Sequence, residues 1–136
     1  MSVAMTAQPH WAWSLGGTGN DHVADILSDA AGHLYITGEF SGVIVFDGQG
    51  FMAGGGTDLF VAKLDPNGGL IWWRQGGGPG IDRGVKLALS AAGELAVVGE
   101  FMGQADVLGT PVQSAGGTPD MFIAELDGAT GATNWV

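Results

Sequence analysis

The chain has 136 residues, with 14 acidic side chains against four basic ones for a net charge of −10, 26 glycines and no cysteine. The absence of thiols excludes disulfides, cysteine zinc sites and thiol redox chemistry. The scattered cations Lys63, Arg74, Arg83 and Lys86 argue against a nucleic-acid or anionic-membrane surface, which needs clustered positive charge.

No apolar run approaches the roughly 18 residues of a membrane-spanning helix, so no membrane insertion is expected. The opening MSVAMTAQPH has neither the basic nor the hydrophobic region of a signal peptide. Glycine is costly in a helix and useful in tight turns, so its density predicts many short strands.

Residues 1–10 read as an N-terminal tail, followed by a tryptophan-bearing strand at Trp11–Leu15. Strand-like apolar runs follow at Val23–Ser28, Leu34–Phe40, Leu59–Leu64 and Leu70–Arg74, with a short extra pair at Val43–Phe46 and Gly50–Ala53. Further runs lie at Val85–Ser90, Leu95–Phe101, Met121–Leu126 and, truncated, Ala132–Val136. Asp29-Ala-Ala-Gly32 and Asp65-Pro-Asn-Gly68 punctuate them as turns. Leu59–Leu64 is largely apolar at both alternating sets of positions until Lys63 near its end, the pattern of a strand covered on both faces.

These runs repeat. Trp13, Gly16 and Gly17 match Trp73, Gly76 and Gly77 at an offset of 60 residues. At 61, Asp21 matches Asp82, Ala30–Gly32 matches Ala91–Gly93, and Gly38–Phe40 matches Gly99–Phe101. At 62, Asp58, Phe60, Ala62, Leu64 and Asp65 match Asp120, Phe122, Ala124, Leu126 and Asp127; at 63, Gly68 and Trp72 match Gly131 and Trp135.

Two sheet repeats, 11–72 and 73–136, predict an all-β chain built from β-propeller blades of four antiparallel strands. Two blades cannot close a ring of four to eight, and uncovered blade faces and strand edges would be left at either end. The sequence starts on one Trp strand and stops within another. A head-to-tail homo-oligomer is therefore expected, the N-terminal strand of one chain completing another's last blade, with three or four chains giving six or eight blades.

Trp13, GGTGND at 16–21, DAAGHLYITGEF at 29–40, GGTDLFVAKLD at 55–65, and Gly68 with Trp72 together resemble the bacterial β-propeller repeats called SBBP repeats. The second copy departs from that pattern with IDRG at 81–84 and Ala96 in place of Tyr35. The resemblance implies a propeller fold and an extracellular or cell-surface setting. Asp127 to Trp135 also looks like the D..TG...W docking motif of quinoprotein propellers. By that resemblance Trp13, Trp72, Trp73 and Trp135 pin blades together, and Asp65, Gly68, Asp127 and Gly131 anchor the turns. The role implied is structural, without the quinone cofactor.

No catalytic set emerges. There is no GxSxG elbow, GGTGN lacks the lysine of a phosphate loop, and His10, His22 and His33 have no repeat-matched histidine. Asp21, Asp58, Asp82 and Asp120 recur at turns as N–H acceptors or, if several converge, as ligands for a hard cation such as calcium. Glu39 and Glu100 recur in the segment GEF and are candidates for a carboxylate ring lining a central channel.

The leading expectation is a non-enzymatic scaffold or binding module presenting its loops and channel to a protein or glycan. The alternatives are a propeller hydrolase or lyase using channel-mouth carboxylates with calcium, and an engineered or excised propeller fragment.

Overall fold

The computed structural model describes Ala12 and Ser14–Val136; the expected tail, and Trp11 and Trp13 of the first Trp strand, lie outside the described residues. Among the described residues every regular element is a strand. They are β1 (Gly16–Gly17), β2 (Asp21–Ser28), β3 (Leu34–Phe40), β4 (Val43–Phe46), β5 (Gln49–Met52), β6 (Asp58–Leu64), β7 (Leu70–Gly76), β8 (Arg83–Leu89), β9 (Glu94–Phe101), β10 (Gln104–Val107), β11 (Thr110–Gln113), β12 (Asp120–Asp127) and β13 (Thr133–Trp135). Two four-stranded antiparallel sheets result, ordered β2-β3-β6-β7 and β8-β9-β12-β13. The sequence runs place the principal strands of both sheets within a few residues of these bounds.

Between its second and third strands each sheet carries a hairpin, β4–β5 in the first and β10–β11 in the second. The second was not anticipated. Both turn through two residues of positive φ, Asp47 (50°) with Gly48 (76°) and Leu108 (51°) with Gly109 (95°), as a tight hairpin twisting with its strands requires. Asp-Gly advertises that turn, whereas Leu-Gly does not. Leu108 adopts the left-handed backbone and buries its side chain between the sheets, where burial offsets the conformational cost.

The sheets stack face to face across a seam, with β8 beside β2 and β3. The first sheet contributes Tyr35, Leu59, Val61 and Trp72; the second contributes Leu95, Val97, Phe101, Phe122 and Leu126 from its strands, and Val107 with Leu108 from its hairpin. A second apolar cluster lies on the other face of the first sheet, where Phe40, Ile44, Phe46, Phe60 and Trp73 gather. Trp73 stacks on Phe60 at 4.7 Å and 5° between planes, and on Phe51 at 4.6 Å. Adjacent residues of a strand point to opposite faces, so Trp72 enters the seam while Trp73 enters the outer cluster.

The turn after β12 locks the seam. Tyr35 Oη, Lys63 Nζ and Trp72 Nε1 all converge on the Gly128 carbonyl, at 3.1, 3.1 and 3.3 Å. Arg74 donates to the carbonyls of Gly131 and Thr130, each at 2.9 Å. Gly131 has a φ of 71°, and a Cβ there would fall 2.8 Å from the Trp72 ring, so both backbone and contact require glycine. Lys63 is buried, yet its ammonium keeps a carbonyl partner and lies 5.0 Å from the centre of the Tyr35 ring, which compensates a desolvated charge.

Leu59 is fully buried in the seam, so Leu59→Ala should lower the unfolding free energy by about 2–5 kcal/mol. A urea titration showing a loss below about 0.5 kcal/mol, the range of ordinary surface substitutions, would contradict the seam.

Candidate functional site

A cavity of about 220 Å³ opens where the first strands of the two sheets meet, lined by His22 of β2, Glu39 of β3, Arg83 of β8 and Glu100 of β9. Arg83 donates from Nε and Nη2 to Glu100 Oε2 at 3.1 and 2.7 Å. The Glu100 carboxylate, first through these bonds and then through its charge, raises the Arg83 pKa, and the charge of Glu39 adds to the effect. Glu39 also accepts from Thr57 Oγ1 at 3.3 Å. The matched glutamates thus share one cavity with a guanidinium between them. Such an array of both signs can bind polar or charged groups.

Sequence reasoning missed Arg83 and His22 as its companions. A signal was present: each directly follows a matched aspartate, Asp82 and Asp21, so the repeat places a basic side chain at the same point in both copies.

The matched aspartates do not line this cavity. Asp58, at the start of β6, and Asp82, just before β8, are buried in the seam on either side of Gly77. A Cβ on Gly77 would lie 2.7 Å from Asp58 Oδ1 and 3.1 Å from Asp82 Oδ2. Asp82 accepts the N–H groups of Gly78 at 2.8 Å and Met102 at 3.1 Å. Asp58 accepts that of Gly54 at 3.0 Å through Oδ2, and its Oδ1 is buried without a partner.

Burial raises the pKa of both acids against the lowering effect of these N–H groups, and the charge of Asp82 raises Asp58 further. Their counterparts take similar bonds, Asp21 from Gly17 N–H and Asp120 from Ala115 N–H, both at 2.9 Å. Among the described residues no three His, Asp or Glu side chains come together in a group able to hold a metal ion.

The turn residues are placed by local bonding. Asp65 Oδ1 accepts from Asn67 and Gly69 N–H at 2.7 and 3.0 Å, and Gly68 takes the positive φ of 89° that closes the turn. Asp127 Oδ1 accepts the Thr130 and Ala129 N–H groups and the Thr130 hydroxyl. Thr130, through backbone and then hydroxyl, holds the Asp127 carboxyl below its ordinary pKa. Trp72 and Trp73 are buried on opposite faces of β7, whereas Trp135 on β13 is 49% exposed. His33 bonds Asp29 at 2.9 Å, and His22 is exposed. Trp13 and His10 lie outside the described residues.

Compared with known proteins, the chain matches no family model and no curated protein.

The buried acid pair gives a pH signature. An acid whose native pKa is raised holds its proton to higher pH when folded than when unfolded, so stability falls as pH climbs from 3.8 towards the raised native values. Asp58→Asn removes one charge and offers Asp82 a donor. In urea titrations across pH the variant should lose the part of that decline that Asp58 contributes, while burial keeps the part due to Asp82, and gain about 1 kcal/mol at pH 7. Parallel wild-type and variant curves would contradict the raised pKa of Asp58.

Proposed function

We propose that this chain is a two-blade segment of a β-propeller of the SBBP-repeat kind, serving as a non-enzymatic scaffold or binding module. The observation that carries the reading is the seam: two sequence-matched four-stranded sheets stack face to face with their first strands linked, Asp25 Oδ2 accepting Leu87 N–H at 2.9 Å. That is the relation of neighbouring blades around an axis. Repeating it generates a ring, and a ring of identical chains would close at three or four copies, with six or eight blades.

The cavity holding Glu39, Arg83 and Glu100 then faces the axis and presents fixed charges to a protein or glycan ligand, outside the cell in the setting implied by the repeat resemblance. The binding reading is favoured over a hydrolase or lyase because Arg83 is tied to Glu100 and the paired acids with raised pKa lie in the seam rather than the cavity. The carboxylates at turns take backbone N–H groups, which supports a module that folds and assembles without calcium.

Electron microscopy of stained particles, combined with melting curves in excess calcium and in chelator, tests the reading. The expected result is closed rings with a central channel and a melting temperature unchanged by calcium. A large upward shift with calcium favours the enzymatic alternative, and particles without rings overturn the propeller.

A further inference from the structure

The seam uses two surfaces, and the repeat places a second copy of each on the outside of the molecule. On the first sheet the face entering the seam carries Leu59, Val61 and Trp72, which are 0%, 0% and 7% exposed. Their counterparts on the second sheet are Met121, Ile123 and Trp135, which are 85%, 56% and 49% exposed. An apolar set that one sheet buries and its twin presents to water is an interaction surface.

The opposite face repeats in part. Leu95, Val97 and Val107 carry the second sheet's side of the seam, and their matches Leu34, Ile36 and Phe46 line an apolar recess of about 390 Å³ on the far side of the first sheet; Ile36 and Phe46 are already buried within the single chain, and Val23 and Ile26 are the exposed apolar residues of this face.

The polar groups repeat with complementary signs. Within the seam Lys86 Nζ reaches Asp25 Oδ1 at 3.3 Å. Lys86 occupies in the second sheet the position of Asp25 in the first. A second copy docked by the same geometry therefore sets its Asp25 against Lys86, and acids alternate with ammonium groups around the axis. His22 likewise stands in the place of Arg83, between Glu100 of one copy and Glu39 of the next.

The backbone follows suit. Gly77 bridges Asp106 across the seam, and its match Gly17 pairs with Ile44 of the first hairpin, one residue from Val45, the match of Asp106. Bulk differs at one point. A Cβ on Gly84 would lie 3.2 Å from Thr37 Cβ, and the match of Gly84 is Val23, so the seam between copies must widen slightly there to seat that side chain.

We propose that the Met121, Ile123 and Trp135 face of one chain docks on the Val23, Ile26 and Phe46 face of a second copy, reproducing the internal seam. This inference rests on the propeller reading and names the partner. The contact is heterologous, so it propagates until a ring closes or a fibre forms.

Light scattering on the wild type and on Met121→Asp/Ile123→Asp is the test. Both residues are exposed in the single chain, so the variant should keep its far-UV circular dichroism. The wild type is expected at three or four times 13.8 kDa, and the variant at the single-chain mass. Lys86→Asp should weaken assembly, and adding Asp25→Lys should restore it. A wild type that is folded yet monomeric overturns both the copy-to-copy seam and the ring of identical chains, whereas rings that persist in Met121→Asp/Ile123→Asp overturn this seam alone. An open series of rising masses supports the seam and overturns the closed ring.

Discussion

The structure depends on one contact, the insertion of Trp72 under the turn that follows β12. Its indole nitrogen bonds Gly128 and its ring packs on Gly131. An isolated antiparallel sheet with apolar residues on both faces cannot be stable in water. The first sheet, whose third strand is buried along its whole length, becomes so by acquiring a neighbour on one side and a hairpin with part of the preceding chain on the other. Because the turn that covers Trp72 belongs to the second sheet, neither sheet completes its own core.

Electrostatics give the seam its specificity. A chain with a net charge of −10 uses all four of its basic side chains where the sheets meet: Arg74 and Lys63 on carbonyls of the capping turn, Lys86 on Asp25 and Arg83 on Glu100. Arg83 stands between two glutamates at the first strands. Asp25 is held below its usual pKa chiefly by the Leu87 N–H, against the effect of burial and with help from Lys86. Asp58 and Asp82 are shifted the other way. The seam thus contains one carboxylate, Asp25, stabilised as an anion near the first strands and two, Asp58 and Asp82, disfavoured as anions beside Gly77.

Much of the sheet organisation was legible because the apolar runs are long and the turns carry Asp, Pro and Gly in places with a mechanical reason. Leu34–Phe40 and Val43–Phe46 stand at the bounds read from sequence. The second hairpin escaped because Leu108 occupies a turn position that Asp47 advertises in the first copy. The candidate site was half legible. Glu39 and Glu100 could be paired by the repeat, but Arg83 is brought between them by the stacking of the sheets, which periodicity does not reveal. The aspartates appeared as one class in the sequence, and only the seam separates the buried pair from the turn residues Asp65 and Asp127.

The central claim is that the outer faces of this chain are unsatisfied copies of its inner seam, and it has a direct geometric test. Thr37 Cβ lies 3.2 Å from where a Gly84 Cβ would be, close to the roughly 3.5–4.5 Å between Cβ atoms in a disulfide. The repeat matches of these positions are Val98 and Val23. Chains carrying Val98→Cys, mixed with chains carrying Val23→Cys and oxidised, should give a covalent dimer of the two variants, while neither variant cross-links by itself. Equal cross-linking in every combination, or none in the mixture, would contradict the account.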